Sequence, residues 1–344
     1  MIIRPAVPAD GPQMLRLIES HPAEGGLRIL YTRRPDAYQS YRTECANAEI
    51  TVCADNDGHV LGQVALLPRK LFLNREIYTI GYVTGLHKSD SVVVNIMNML
   101  ETGLANSVAE QFFCSFLNNN KSVFDLFSKR RLICPLCDYS TYLFHPTAMK
   151  PAQHGFLFRP ASPDDTAELL RFYNKEGAKY SCFPVFSTMD DFPGLTVSDF
   201  FLLEDGNGIA AAGALWDQRA FKQYVVLGYR GQYKLAAHCN PLLRMLHYPP
   251  LPKVNAAANF AYISFLLGRE GSSPLAHILL KEIAGVRHGF DFLAIGAAAG
   301  STLGQYLKGI NSFKIESKIC AIDHEGSGKA ALIQPPFHFE CGLL

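Results

Sequence analysis

The chain has 344 residues, with 32 lysines and arginines against 31 aspartates and glutamates, and 48% of its residues are hydrophobic. At about 150 residues per domain, this length predicts two domains, each large enough to bury a core. The near-neutral charge and the low share of charged residues, 18%, exclude a disordered chain and a protein that holds nucleic acid through bulk charge.

No stretch reaches the ~18–20 uninterrupted apolar residues of a membrane-spanning helix. The most apolar stretches, near 91–104 and 255–268, are interrupted by Asn, Glu or Gly. Residues 1–5 lack a basic region followed by an apolar stretch, so we expect no signal peptide. The cysteines are odd in number and scattered, which is typical of free thiols in a reducing compartment. We therefore expect a cytoplasmic protein with no nucleic-acid or membrane partner.

The chain opens with a short strand, a turn that contains proline and an amphipathic helix, all within residues 3–18. The helix is predicted because apolar residues recur there every three or four positions. A hairpin follows, with strands at 50–54 and 60–65 around a polar turn that ends in Gly58. A strand, a helix, a strand and a helix complete this half, at residues 80–86, 91–110, 111–117 and 120–130.

The same order recurs in the second half of the chain. A shift of 155 residues places segment 3–18 on segment 158–173 and matches Arg4 with Arg159, Pro5 with Pro160, Ala6 with Ala161, Pro8 with Pro163, Asp10 with Asp165, Leu15 with Leu170 and Arg16 with Arg171. The corresponding hairpin, strand, helix, strand and helix lie at 200–215, 260–267, 274–287, 290–296 and 301–310. Two copies of this order predict an α/β or α+β layered fold with helices on the faces of the sheet.

The domain boundary is predicted within residues 146–155, which contain two prolines and a glycine. The two domains are therefore expected at residues 1–150 and 156–344.

The opening of each half, Ile/Phe-Arg-Pro-Ala-x-Pro-x-Asp, resembles that of the GNAT superfamily of N-acyltransferases. The Asp-Gly hairpin and the strand–helix ends, LFSKRRL at 126–132 and YLKGINSF at 306–313, are similar to the same family. The resemblance implies two tandem GNAT-like domains, each with a mixed, mostly antiparallel sheet flanked by helices. It also implies acyl-CoA as the donor and a sheet splayed between its fourth and fifth strands to admit the pantetheine arm.

GNAT proteins carry Gln/Arg-x-x-Gly-x-Gly/Ala between the fourth strand and the next helix. Small residues there let backbone amides approach the diphosphate of the donor, and the helix N-terminus adds partial positive charge. In the second half, Gly271 and Ser273 fall at the two small positions if Gly268 takes the place of Gln/Arg, and Pro274 opens the helix. The resemblance thus implies an acetyl-CoA site at Leu266, Leu267, Gly268, Arg269, Gly271, Ser272 and Ser273, with Arg269 one residue away from the family position.

The first half departs further from this pattern. Its loop at 86–92 contains no glycine, and Asp90 would repel a diphosphate, although Lys88 could still bind an anion. The run Asn118–Asn120 resembles the Asn that many members use to contact pantetheine, and the alternative is that it caps the helix beginning near Lys121. We therefore expect the first half to be a degenerate copy, kept for structure or for shaping the acceptor cleft.

The family often uses a Tyr of the last helix as the general acid for the departing thiolate. The resemblance places Tyr306 there in the second half, whereas the first half has Phe127, which can donate no proton. A buried aromatic side chain on a helix face is the alternative for Tyr306. Asp217 and His238 are candidates for the general base, and each is equally explained as a surface acid or a structural histidine.

Two further features have open interpretations. The long excursion at 219–258 is rich in aromatic and polar residues, as expected of an acceptor-binding flap, an interdomain contact or a homodimer contact. Cys134 and Cys137 form a single Cys-x-x-Cys motif with only His145 close by in the sequence, so no metal site is expected.

The sequence favours an acyl-CoA-dependent N-acyltransferase that uses acetyl-CoA, no metal, and a small-molecule or peptide amine as acceptor. The amine would attack the thioester directly, with backbone amides holding the carbonyl oxygen. One alternative is a non-catalytic ligand-binding or scaffolding protein built on two decayed GNAT folds. Another is a transferase with a longer acyl donor or aminoacyl-tRNA, and the near-neutral charge argues against the tRNA.

Overall fold

The computed structural model describes residues 1–90, 95–151, 153–286, 288–323 and 333–344. The strands are β1 (Ile2–Pro5), β2 (Leu27–Thr32), β3 (Glu49–Ala54), β4 (Val60–Leu73), β5 (Glu76–Lys88), β6 (Gln111–Leu117), β7 (Ile133–Phe144), β8 (Leu157–Pro160), β9 (Phe200–Asp205), β10 (Gly208–Trp216), β11 (Gln223–Tyr229), β12 (Phe260–Gly268), β13 (Phe292–Ala298) and β14 (Ser312–Ile322). The α-helices are α1 (Gly11–Glu19), α2 (Ala37–Glu44), α3 (Ile96–Ala105), α4 (Lys121–Lys129), α5 (Thr166–Gly177), α6 (Gln232–His238), α7 (Asn240–Met245), α8 (Ser273–Gly285) and α9 (Thr302–Leu307).

One twelve-stranded sheet runs through the molecule in the order β1-β3-β4-β5-β6-β14-β7-β13-β12-β10-β9-β8. Its pairs are antiparallel except for β5 with β6 and β12 with β13, which are parallel. Apolar side chains of α1, α2 and α5 pack on one face, and those of α3, α4, α8 and α9 pack on the other. The expected fold class, a mixed and mostly antiparallel sheet flanked by helices, is confirmed.

The two halves of the chain exchange strands at the centre of this sheet. β14, from the second half, pairs with β6 of the first half, with Cys320 opposite Cys114. β7, from the first half, pairs with β13 of the second half, with Ile295 opposite Tyr142. β7 and β14 lie side by side between them and pair along their whole lengths. Strands from either side of the predicted boundary therefore interleave, and the division into domains 1–150 and 156–344 stays a prediction.

A second contact between the halves is a two-stranded sheet of β2 and β11. Tyr224 of β11 lies opposite Tyr31 of β2, and their rings are 5.4 Å apart. β11 belongs to the excursion at 219–258, so this part of the excursion contacts the other half of the chain.

The sequence repeat has a physical cause in a duplicated ion pair. The guanidinium of Arg4 binds both carboxylate oxygens of Asp10, at 2.7 and 2.9 Å, and that of Arg159 binds Asp165 twice at 2.7 Å. Each aspartate also accepts a backbone N–H three residues earlier, so it caps the turn that begins the helix. Hydrogen bonding to Arg4 and Arg159 lowers the pKa of Asp10 and Asp165. The matched residues therefore fix the angle between each opening strand and its helix.

Two helices are shorter than predicted. α3 ends at Ala105 instead of 110, and beyond it the backbone N–H of Val108 donates to the side chain of Glu49 in β3 at 2.9 Å. Residues 91–94, part of the helix predicted at 91–110, lie outside the described residues. α9 ends at Leu307, three residues before the predicted end.

A buried group of charges lies where the halves meet. Glu44 of α2 binds Arg33 at 2.6 Å and Lys222, from the second half, at 3.3 Å, and all three side chains are almost fully buried. Burial opposes ionisation of Glu44, but the positive charges of Lys222 and Arg33 outweigh it and lower the pKa of Glu44 to about 2. Burial lowers the pKa of Lys222. Removing one partner of such a group leaves uncompensated charge in the core.

We predict that Glu44→Gln destabilises the protein by roughly 3–5 kcal/mol at pH 7, because Arg33 and Lys222 lose their counter-charge. The folded-state pKa of Glu44 lies below its ordinary value of 4.5, so its stabilisation is present above about pH 4.5 and is lost as the pH falls towards about 2. Urea unfolding of both proteins between pH 7 and pH 2 should show the stability difference shrinking over that interval.

The matched control is Glu24→Gln. Glu24 forms ion pairs with Arg28 and Arg230 at 2.7 and 3.1 Å, and these side chains are exposed. Its loss should cost less than about 1 kcal/mol. Equal losses for the two variants, or a difference that does not change with pH, would contradict the burial argument.

Candidate functional site

Each parallel strand pair opens into a splay. β12 and β13 pair from Phe260 opposite Phe292 to Tyr262 opposite Ala294, although the strands continue to Gly268 and Ala298. β5 and β6 likewise pair only up to Val83 opposite Cys114. Beyond these points the two strands of each pair are not hydrogen-bonded to each other, and a gap opens between their carboxyl ends.

A β-bulge interrupts the strand at the start of each gap. In β12 the register with β10 shifts near Phe265, which has a φ of +55°. In β5 the register with β4 shifts near Gly85, which has a φ of +62°. A bulge turns a backbone amide out of the ladder. In the second half, this amide is the N–H of Phe265, and it donates to Oε2 of Glu340 at 2.6 Å.

The predicted donor residues form a compact turn that leads into a helix. Leu266 and Leu267 are buried in β12, and the turn follows Gly268. Glu270 and Gly271 have φ values of +59° and +71°, so two successive residues of this turn are left-handed. Ser272 is the N-cap of α8, and its side chain makes no capping hydrogen bond. The first turn of α8 carries no acidic residue, so the N-terminus of this helix suits an anion.

Arg269 is committed to another partner. Its guanidinium binds both carboxylate oxygens of Asp205, one of them at 3.1 Å. Hydrogen bonding to Arg269 lowers the pKa of Asp205. The backbone of this turn, and not the arginine, is therefore the part suited to a diphosphate.

The first half differs at the corresponding place. The side chain of Asn95 caps α3 by accepting the N–H of Asn98 at 3.1 Å, so one terminal amide is already used. Asp90 lies 3.4 Å from His21 and 3.8 Å from Lys88. Residues 91–94, which include the end of the predicted loop, lie outside the described residues.

The asparagine run after β6 has mixed roles. The backbone N–H of Asn118 donates to the backbone carbonyl of Glu316 in β14 at 3.0 Å. Asn120 is the N-cap residue of α4 by position, but its side chain makes no capping hydrogen bond.

Tyr306 and Phe127 occupy different surroundings. Tyr306 is half-buried, and its ring stacks on that of His277 in α8, with centroids 4.1 Å apart. Burial, followed by the charge of Lys281, lowers the pKa of His277, whose buried Nε2 has no hydrogen-bond partner. Phe127 is buried in the first half and meets Phe116 edge-on at 5.5 Å, so it belongs to the core.

Asp217 lies far from the turn at 268–273. Ala211 of β10 is opposite Gly268, whereas Trp216 is opposite Tyr262, which separates Asp217 from the turn by six residues, about 20 Å along a strand. Arg219 binds the carboxylate of Asp217 through Nε and Nη, at distances from 2.7 to 3.1 Å. The structure therefore does not bring Asp217 to the predicted donor site. The side chain of His238, the other candidate base, lies outside the described part of the chain.

Two places in the described residues hold potential metal ligands, and neither forms a prepared metal site. Cys134 is exposed and Cys137 is half-buried, and burial raises the pKa of Cys137 to about 12. Within the described ranges, three potential ligand side chains come together at one place, Asp55, Asp57 and His59 in the exposed β3–β4 turn. There, Asp55 already accepts the backbone N–H groups of Asp57 and His59.

Sequence reasoning missed Glu340. It lies in residues 333–344, which we call the closing segment and which pass close to the splay of the second half. Glu340 is the only charged side chain of this segment and is almost fully buried. A single glutamate among apolar residues indicates that its carboxylate has a hydrogen-bond partner inside the protein. The sequence alone does not indicate that this partner is the backbone N–H of Phe265.

In the described part of the chain, no helix has the length and apolarity needed to cross a membrane. No protein-family model matches the sequence, and neither does any curated protein.

Solved structures do resemble this one. A conserved protein of Enterococcus faecalis V583, described as of unknown function and a probable N-acyltransferase, superposes with a TM-score of 0.53 at 10% identity, covering 94% of this chain and 73% of its own. A GCN5-related N-acetyltransferase from Anabaena variabilis ATCC 29413 gives a TM-score of 0.54 at 8% identity, with coverages of 93% and 72%. At such identities the similarity concerns the fold, and the fold of this chain is of the GNAT type.

Proposed function

We propose that the chain is an acyl-CoA-dependent N-acyltransferase that transfers an acetyl group to a primary amine of a small molecule or peptide. The observation that carries the proposal is the combination, in the second half, of a splay, a bulge and a left-handed turn that leads into an uncapped helix. These are the parts that an acyl-CoA needs: a gap for its pantetheine arm, an amide for its carbonyl oxygen and a positive end for its diphosphate.

In this proposal, the backbone amides of Gly268, Gly271 and Ser273 hold the diphosphate, Ser272 closes the turn by donating its N–H to the carbonyl of Arg269 at 3.0 Å, and Leu266 and Leu267 line the pantetheine arm. Arg269 fixes the turn through Asp205. The donor supplies an acyl group activated as a thioester. The hydroxyl of Tyr306 protonates the departing thiolate, and the stack on His277 orients the tyrosine ring. Asp217 stays a prediction as the base, and because its carboxylate is bound by Arg219, no proton transfer is assigned to it.

We predict that Gly271→Glu weakens acetyl-CoA binding by at least about 100-fold. The new carboxylate would face the diphosphate, and such like-charge contact costs several kcal/mol. Isothermal titration of acetyl-CoA into the intact protein and the variant measures the change.

The matched control is Gly58→Glu in the β3–β4 turn. Gly58 has a φ of +83° and open space around the position of a Cβ, so this variant carries the same backbone strain and charge away from the turn at 268–273. It should bind acetyl-CoA like the wild type. Binding that survives Gly271→Glu would move the donor site to the first half.

We predict that Tyr306→Phe lowers kcat by roughly 100-fold, the lower range for loss of a general acid, and leaves the binding of acetyl-CoA unchanged. Release of the CoA thiol is followed with a panel of amines: an aminoglycoside, lysine, spermine and a short peptide. Tyr38→Phe, a change on α2 in the first half, serves as the control. An unchanged kcat in Tyr306→Phe would show that its ring only packs against α8.

A second candidate function is a non-catalytic protein that binds a ligand on two decayed GNAT folds. The specific observation in its favour is the hydrogen bond from Phe265 to Glu340, since the chain itself uses the amide that an acyl carbonyl would need. Absence of heat and of thermal stabilisation with acetyl-CoA or longer acyl-CoA thioesters would favour this function. Tighter binding of an acyl-CoA with a longer acyl chain would instead indicate that the donor is not acetyl-CoA.

A further inference from the structure

The closing segment spans the gap of the second half. The hydroxyl of Tyr139, on β7, donates to the carbonyl of Phe339 at 2.8 Å. The side chain of Gln218, just beyond β10, donates to the carbonyl of Gly342 at 2.7 Å. In the sheet, β13 and β12 lie between these two anchors, so the segment crosses both strands of the splay.

Glu340 lies at the centre of this crossing. Its carboxylate accepts the N–H of Phe265 and lies 3.7 Å from Nε2 of His338. In the proposed reaction, the bulge amide is the group that would hold the carbonyl oxygen of the thioester. A carboxylate accepts a hydrogen bond more strongly than a neutral carbonyl does, so Glu340 is an effective competitor for this amide.

Tyr180 lies between the closing segment and the proposed diphosphate turn. The His338 ring of the segment lies 5.8 Å from the ring of Tyr180. The hydroxyl of Tyr180 is 3.3 Å from the position that a Cβ on Gly271 would take. A ligand bound at the turn would therefore be separated from the closing segment by the side chain of Tyr180 alone.

If the closing segment covers the bulge of the second half, that bulge should be more buried than the bulge of the first half, and it is. β12 is buried along its whole length, including residues 264–268 beyond the paired region. In β5, the corresponding residues 84–88 are half-exposed. The second half is closed at the place where the first half is open.

We infer that the closing segment is a gate on the acyl end of the donor site in the second half, and that Glu340 holds it shut by occupying the position of the acyl carbonyl oxygen. An acyl-CoA must displace Glu340 to seat its thioester, whereas CoA, which has no acyl group, need not. This inference rests on the proposed function. It assigns a regulatory role to Glu340 and no step in the chemistry.

Trp216 reports the state of the gate. It is the only tryptophan of the chain and is 1% exposed. A Cβ on Gly342 would lie 2.6 Å from its ring, and Phe265 stacks on it at 5.9 Å. Release of the segment would expose the indole to water and shift its emission to longer wavelength.

The experiment compares wild type with Glu340→Ala by intrinsic fluorescence and by titration with acetyl-CoA and with CoA. Glu340→Ala should show red-shifted Trp216 emission without ligand. It should bind acetyl-CoA roughly 10-fold more tightly than wild type does, the lower end of what losing a charged hydrogen bond releases, and its affinity for CoA should not change. In wild type, acetyl-CoA should red-shift the emission and CoA should not.

Two further variants keep the test decisive. Glu340→Gln retains an acceptor oxygen without the charge, so it should fold even if the alanine variant does not, and its affinity for acetyl-CoA should rise less. Glu316→Ala removes an exposed glutamate of β14 and should match wild type in every readout.

Equal acetyl-CoA affinities in wild type, Glu340→Gln and Glu340→Ala, with unshifted emission, would overturn the gate and leave the proposed function standing. Failure of every variant to bind acetyl-CoA would refute the proposed function together with the gate. Equal gains for CoA and acetyl-CoA in Glu340→Ala would show that Glu340 does not compete with the acyl group, which also overturns the inference.

Discussion

The pairing of β7 with β14 is the interaction on which the rest of the structure depends. Each of these strands comes from one half of the chain and completes the sheet of the other. Through them, the splay of the first half and that of the second are held in one sheet, with β14 next to β6 and β7 next to β13. The path of the closing segment depends on this exchange as well, because its anchor Tyr139 is a residue of β7.

Buried polar contacts fasten the same boundary. Glu44, Arg33 and Lys222 bring charge from both halves into one desolvated group, and Lys222 also donates to the carbonyl of Leu344 in the closing segment at 3.0 Å. Such contacts add specificity because they are satisfied in only one arrangement of the parts. The halves and the segment that covers the second one are thus held by a shared set of hydrogen bonds.

Local signals made much of the fold predictable. The Arg–Asp pairs that begin each half are six residues apart, so both the repeat and its geometry are visible in the sequence. The left-handed turn at Gly271 and the helix that follows it were predictable for the same reason, because the residues that determine them are neighbours in the sequence. The exchange of β7 with β14 joins residues about 180 positions apart, and no periodicity indicates it. The bond between Glu340 and Phe265 spans 75 residues, and the choice of one amide among many is made by packing alone. The helix that carries Tyr306 was predicted as well, but the stacking of its ring on His277 of another helix was not, because the two residues are distant in the sequence.

The strand exchange has a consequence for synthesis on the ribosome. β6 and β7 are made early, but β14, the strand that fits between them, is made almost 170 residues after β7. Until then, two strands in the middle of the future sheet each have an unpaired edge, which is a template for association with other chains. Pairing over such separations is also slow. Truncation before residue 312 removes β14 and leaves the facing edges of β6 and β7 unpaired, so strand pairing would join the halves only through β7 with β13 and β2 with β11.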